Sequence, residues 1–185
     1  MFGSLTLGGY DSSRIVPNNV SFSLAADISR DLLVSLQAIT VTYADGSVTP
    51  FLTTPLPTPI WTFIDSTIPY IYLPMDVCKT FENAFGLQWN ATYQTYFVDD
   101  NVHGNLMAAN PNITFQIANS TSGGATVDII LPYASFDLML EYPLIPGSLP
   151  DSSLGILPPS LRYFPLRRAA NETQYTLGRT FLQEA

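Results

Sequence analysis

Residues 62–74 read TFIDSTIPYIYLP, and no other stretch limits the fold as much. An apolar pair, Phe63-Ile64, runs into Asp65-Ser66-Thr67, and a second apolar, β-prone run follows. A short polar triplet between two β-prone runs is a turn, and Asp is a residue that ties such turns by accepting backbone N–H groups. The chain must therefore bring two strands together and hold a lone carboxylate at their junction.

The remaining pattern is also mostly β. Residues 4–7 alternate and end at Gly8-Gly9, and residues 20–24 (VSFSL) alternate apolar with polar. Residues 32–43 (LLVSLQAITVTY) are largely apolar or β-branched and stop at Asp45-Gly46, a pair that tolerates positive φ and so marks a hairpin. Further short strands are expected over 96–98, 113–117 and 126–131, with the polar NSTSGG (119–124) as the turn between the last two. The best helix signal covers 74–85, with Pro74 at its start, Asp76 in the first turn and Gly86 just beyond its end. A second short helix is expected near 131–136. Prolines cluster over 50–59 and 143–165 and read as surface loops, since β patterns resume after each. The expected architecture is one all-β domain with one or two short helices.

Of the 185 residues, 46% are hydrophobic and only 12% charged, which is the composition of a globular chain. A net charge of −8 argues against a nucleic-acid partner, which would call for a basic face. It suits a protein that stays soluble or works in mildly acidic surroundings. No stretch is long and apolar enough to span a bilayer, and the first residues carry neither a basic nor an apolar export segment. Yet five Asn-x-Ser/Thr sequons occur, at Asn19, Asn90, Asn112, Asn119 and Asn171, where chance would give about two. The reading that reconciles these signals is a piece of a longer exported protein, secreted or at the cell surface. Cys78 is the single cysteine, either paired outside this chain or a small apolar residue packed under the helix beside Val77, Phe81 and Phe85. His103 is the single histidine, in the polar stretch DDNVHGN, and reads as a solvated loop residue; neither a metal site nor a cofactor is expected. Arg167-Arg168, beside Arg162, is the main basic cluster and reads as a solvated or ion-paired edge.

Taken in order, these pieces resemble the C-terminal lobe of a pepsin-like (family A1) aspartic protease. GSLTLGGYD (3–11) looks like the strand and turn that enter that lobe. TFIDSTIPYIYLP looks like the strand, active-site turn and strand that present its catalytic aspartate. YTLGRTFL (175–182) looks like the Gly-containing stretch near the end of the lobe, where Gly178 would let the turn before Phe181 approach the Asp65 loop and Leu177, Phe181 and Leu182 would pack in the core. LPYASFDL and RRAANETQYTLGRTFLQEA look like a fungal branch of these proteins. The resemblance covers nearly all of residues 1–185. It implies an all-β, single pepsin-like lobe that lacks the N-terminal lobe and ends before the usual final strands.

What the resemblance implies for chemistry is specific. Such enzymes hold a water between two carboxylates, one per lobe, which share a proton and divide the base and acid roles. The motif is Asp, then Thr or Ser, then Gly. Asp65 and Ser66 fill the first two positions, and Thr67 stands in place of the glycine. A β-branched residue is stiff and disfavours positive φ, and its side chain would occupy space near the reacting water. Asp65, Ser66 and Thr67 are thus the candidate catalytic motif, in a setting that departs from the family. The chain has no second such motif: Asp45-Gly46-Ser47 is a turn, and Asp151-Ser152-Ser153 lies in a proline-rich loop.

The implied function is half of an aspartic-type endopeptidase fold, with the isolated chain inactive. The implied partners are the missing N-terminal lobe or a second copy, and a peptide or protein substrate. The alternative is a pseudoprotease lobe that binds peptide or protein without cutting it. A weaker reading, a carbohydrate-binding β domain, rests on Trp61, Trp89 and ten tyrosines, which show no platform spacing.

Overall fold

A computed structural model describes residues 8–9, 11–14, 16–52, 59–141 and 160–184. The expected strand at 4–7, Asp151-Ser152-Ser153 and most of both proline clusters lie outside the described residues.

Twelve strands, among the described residues, form two sheets. In chain order they are β1 (Leu33–Thr42), β2 (Val48–Leu52), β3 (Ile60–Ile64), β4 (Ile71–Leu73), β5 (Gln88–Asn90), β6 (Thr95–Phe97), β7 (Asn112–Ala118), β8 (Thr126–Pro132), β9 (Leu138–Glu141), β10 (Ser160–Phe164), β11 (Leu166–Arg168) and β12 (Thr176–Leu177). The large sheet runs β11-β4-β12-β3-β1-β7-β8, with β2 paired to the end of β1; the small one runs β5-β6-β10-β9. Strand β1 carries the β-branched run and is paired on both sides, to β3 and β7. The Asp45-Gly46 turn joins β1 to β2 as expected. Tyr43 N donates to Ser47 O at 2.9 Å, and Gly46 takes φ +81°. The NSTSGG segment joins β7 to β8, with Gly123 and Gly124 both at positive φ.

The best-signalled helix, α1 (Met75–Phe85), lies where the sequence places it. Pro74 precedes it in extended geometry, and Gly86 ends it at φ +70°, donating its N–H to Glu82 O at 2.8 Å. A left-handed C-cap of this kind is the conformation glycine adopts without steric cost. Val77, Cys78, Phe81 and Phe85 are its buried face. Phe81 and Phe85 meet Phe164 with ring centroids 5.8 and 5.9 Å apart, and Phe136 stacks on Phe164 at 4.9 Å. This aromatic cluster joins α1 to β10 and to the turn after β8. That turn, Tyr133–Phe136, is the short helix expected at 131–136, realised as 3-10 geometry.

Three expectations are corrected. Residues 20–24 form no strand: Phe22 and Leu24 are 38% and 68% exposed, so the alternation has no core to face. The stretch DDNVHGN is not a loop but the start of α2 (Asp100–Ala109), capped by the Asp99 carboxylate, which accepts from Val102 N at 2.8 Å. Only Leu106 of α2 is buried, so the helix has no apolar stripe for a sequence reading to find. His103 is accordingly a half-buried helix residue, its Nδ1 3.2 Å from Asp137 Oδ1. A third helix, α3 (Arg179–Glu184), follows β12; Phe181 is in the core, whereas Leu182, expected there too, is 40% exposed.

Candidate functional site

Asp65 sits where β3 ends, and the fold holds that point unusually tightly. Strand β12 is threaded between β3 and β4, parallel to β3 and antiparallel to β4. The two strands on either side of the Asp65 turn are thus clamped by one later segment. Phe63 N donates to Tyr175 O at 3.0 Å, and Asp65 N donates to Leu177 O at 3.2 Å. On the other arm, β11 runs parallel to β4, and Ile71 N donates to Pro165 O at 2.9 Å.

Gly178 completes the clamp. A Cβ built there would overlap the carbonyl oxygens of Ile68 and Tyr70, so only a residue without one fits. The close approach lets Arg179 N donate to Ile68 O at 2.6 Å and Thr180 N to Pro69 O at 3.3 Å. The Thr180 hydroxyl also donates to Pro69 O, at 2.7 Å. The carbonyls of the chain leaving the Asp65 turn are in this way satisfied by the segment after β12. The sequence expectation that Gly178 brings the two stretches together holds at atomic distance.

The turn closes on itself. Asp65 Oδ1 accepts the Thr67 hydroxyl at 2.7 Å and the Thr67 backbone N–H at 2.8 Å. These two bonds, the hydroxyl first, stabilise the ionised carboxylate and hold its pKa below the ordinary aspartate value, with a smaller contribution from the Ile68 N–H and against a small opposing effect of burial. Ser66 and Thr67 are exposed and Asp65 is half-buried. The backbone objection to Thr67 does not arise, because the positive-φ residues other than glycine are Gln94 and Asn110 among those described. Thr67 differs from a glycine here through its hydroxyl, which turns back onto the carboxylate instead of standing clear of it.

An aromatic and basic group flanks the exit of the turn. The Arg167 guanidinium lies 3.7 Å from the centroid of the Tyr70 ring and donates to the Tyr72 hydroxyl at 3.3 Å. Tyr163 meets Tyr70 edge to face at 6.1 Å. Arg168 points elsewhere: it donates to Glu82 Oε1 at 2.7 Å and to the Tyr96 hydroxyl at 2.9 Å, and lies over Trp89 at 4.5 Å. The cationic cluster of the sequence is thus divided, with Arg167 stacked and Arg168 ion-paired. Trp89 is packed against Tyr96, with centroids 4.9 Å apart, whereas Trp61 is 46% exposed on β3.

The other flagged residues are dispersed. Cys78 is buried under α1, and burial pushes its thiol pKa up to about 12, which makes it a packed apolar residue rather than a nucleophile. Among the described residues, no group of three or more His, Cys, Asp or Glu side chains could hold a metal ion, and no helix is long and apolar enough to cross a membrane. Of the sequon asparagines, Asn19, Asn112, Asn119 and Asn171 are exposed. Asn90 is half-buried, with its Oδ1 accepting from Thr92 N and Tyr93 N.

No protein-family model matches the chain, and no curated protein matches it. Among solved structures, it resembles the crystal structure of the aspartic proteinase from Irpex lacteus, with a TM-score of 0.56 and 14% sequence identity. The match covers 95% of this chain and 45% of that one. At that identity the likeness is one of fold, and the fold is a single pepsin-like lobe.

Proposed function

We propose that the chain is the C-terminal half of a pepsin-like aspartic endopeptidase fold and contributes Asp65 at the catalytic aspartate position. The observation that carries this reading is the clamp around Asp65: β12 between β3 and β4, with Gly178 against the Ile68 and Tyr70 carbonyls. That much structure holds a carboxylate at a fixed point where an ordinary surface turn needs none. The chain by itself is inactive. Peptide hydrolysis of this kind needs one carboxylate to take a proton from water while a second gives one to the substrate, and a lone ionised Asp65 cannot do both. The partner that completes the site is an amino-terminal lobe or a second copy of this lobe.

Within the completed site, Asp65 would act as the base. Its pKa is already held down by Thr67, so its partner carboxylate would carry the shared proton. Ser66 and Thr67 position the turn. The substrate is a peptide or an unfolded protein segment. The five sequons support placing the parent protein in the secretory pathway or at the cell surface, with N-linked glycans on exposed members of the set.

One observation favours a second reading, a pseudoprotease lobe that binds peptide without cutting it. The Thr67 hydroxyl uses an acceptor position on Asp65 that a shared proton or water would otherwise have. Acid proteolysis tests the inactivity that both readings expect of this chain. The folded protein, incubated with an unfolded substrate between about pH 3 and 6, is expected to cut nothing, with or without pepstatin. Pepstatin-sensitive cleavage would mean a self-paired dyad that tolerates Thr67, and would overturn the inactive reading.

A further inference from the structure

Strand β3 carries a second feature, about 13 Å back from Asp65 along the strand. A cavity of about 480 Å³ opens there, well within the range of small-molecule sites. Trp61, Leu24, Ala25 and Leu33 supply its apolar surface, and the first two are exposed, by 46% and 68%. Arg30, Glu172, Thr173 and Asn119 supply polar groups around them. An exposed indole bordered by a guanidinium, a carboxylate, a hydroxyl and an amide is the chemistry that receives a pyranose ring. The C–H face of the sugar lies on the aromatic ring, and its hydroxyls and acetamide take the polar groups.

The identity of that sugar follows from where the sequons fall. Asn119, one of the lining residues, begins Asn-Ser-Thr; Glu172 and Thr173, two others, complete the sequon of Asn171. The Asn119 side chain is also anchored at the cavity edge. Its Oδ1 accepts the Ser23 N–H at 2.7 Å, next to Leu24 of the cavity surface. That bond fixes the amide and leaves Nδ2 as the modifiable atom.

We propose that this cavity seats the first sugars of an N-linked glycan on Asn119. The proposal rests on the secretory reading above. The transfer is the usual one: the Asn119 Nδ2–C1 bond forms as the bond from C1 to a polyprenyl diphosphate donor breaks, and one amide proton is lost. The Oδ1 to Ser23 bond is untouched by it. The sugar covers apolar surface that the fold itself leaves open.

The test is secretion of the chain from a eukaryotic host behind an added export signal, with mass-spectrometric mapping of Asn119. Acrylamide quenching of tryptophan fluorescence is then compared in four samples: the intact glycoprotein, protein trimmed to a single N-acetylglucosamine, fully deglycosylated protein, and Asn119→Gln. With one face of Trp61 on a sugar, its quenching should be about twofold lower in the first two samples than in the last two. Trp61→Phe should abolish the difference. An unmodified Asn119 would refute the secretory assignment of this sequon, and the inference with it. An occupied Asn119 with equal quenching in all four samples would refute the inference alone.

Discussion

Gly178→Ala tests the physical reasoning behind the site most directly. The added methyl must overlap two backbone carbonyl oxygens, those of Ile68 and Tyr70, and neither can swing away as a side chain would. Relief requires the Asp65 exit strand and the segment after β12 to separate. Overpacking of this kind costs about 1–3 kcal/mol. Separation also weakens three hydrogen bonds, from Arg179 N to Ile68 O and from Thr180 N and Oγ1 to Pro69 O, each worth about 1 kcal/mol. A total near 4 kcal/mol is a large part of the roughly 5–15 kcal/mol that holds a domain together. At this chain length it corresponds to a Tm lower by about 8–16 °C. Circular dichroism melting would read it. Gly104→Ala serves as the control, because a Cβ there meets nothing within 4 Å and the residue lies inside α2, where alanine favours the helix by about 1 kcal/mol. If Gly178→Ala melts within about 2 °C of the parent, the clamp is looser than described and the case for a positioned Asp65 fails with it.

Thr67→Val removes the hydroxyl that most lowers the Asp65 pKa, so the carboxyl, followed by carbon NMR, should titrate at higher pH than in the parent; an unchanged titration would exclude the hydroxyl as the cause. Because the folded value lies below the unfolded one, whatever stability Asp65 confers is complete above the ordinary aspartate range and is lost as pH falls through the folded value, and the valine variant, which keeps the backbone N–H bonds, should show a weaker acid-side dependence. Cys78, buried and with its thiol pKa near 12, should resist iodoacetamide at neutral pH until the chain is unfolded; alkylation of the folded protein at the rate of a free thiol would contradict the burial. Asp99→Ala removes the cap of α2 and should cost about 1 kcal/mol in urea unfolding, whereas a loop in that place would lose nothing.

The parts of the fold that could be read from the sequence are those in which local chemistry and burial agree. Asp45-Gly46 needs positive φ and obtains it; Pro74 and Gly86 bracket α1 because each suits its end of a helix and four large or apolar residues between them face the core. Residues 20–24 form no strand because alternation is only half of what a strand needs, and Phe22 and Leu24 are left exposed. Helix α2 was hidden for the opposite reason. Its stability comes from Asp99 and Asn110 at the two ends, while its middle contains Gly104 and buries little besides Leu106. A carboxylate three residues before Val102 was the signal available, and the glycine and polar run masked it. At the candidate site, the turn that holds Asp65 and the close approach of Gly178 were both legible, but the direction of the Thr67 hydroxyl was not, since that depends on a turn conformation that no single residue dictates.

The Asp65 turn combines a rigid frame with an incomplete chemistry, and the two are compatible. Two carboxylates can share one proton only at hydrogen-bonding separation, where like charges cannot both ionise. A lobe that contributes one of the pair must therefore hold its own carboxylate in place before the other arrives. The bonds from Asp65 N to Leu177 O, and from the 179–180 segment to the Ile68 and Pro69 carbonyls, do so without any partner lobe. The Thr67 hydroxyl works in the other direction, since it satisfies the carboxylate that a partner would otherwise share. On the proposed two-lobe reading, this hydroxyl is the group in the turn that favours binding over cutting. With that hydroxyl proton on Asp65 Oδ1 the turn is content alone; rotated toward solvent, it would free the oxygen for water. Thr67→Gly should remove the hydroxyl bond permanently and leave Oδ1 only the backbone N–H of residue 67, yet the lone lobe should remain inactive, because the second carboxylate is still required. Acid proteolysis by that variant, in the absence of any partner, would refute the two-lobe requirement.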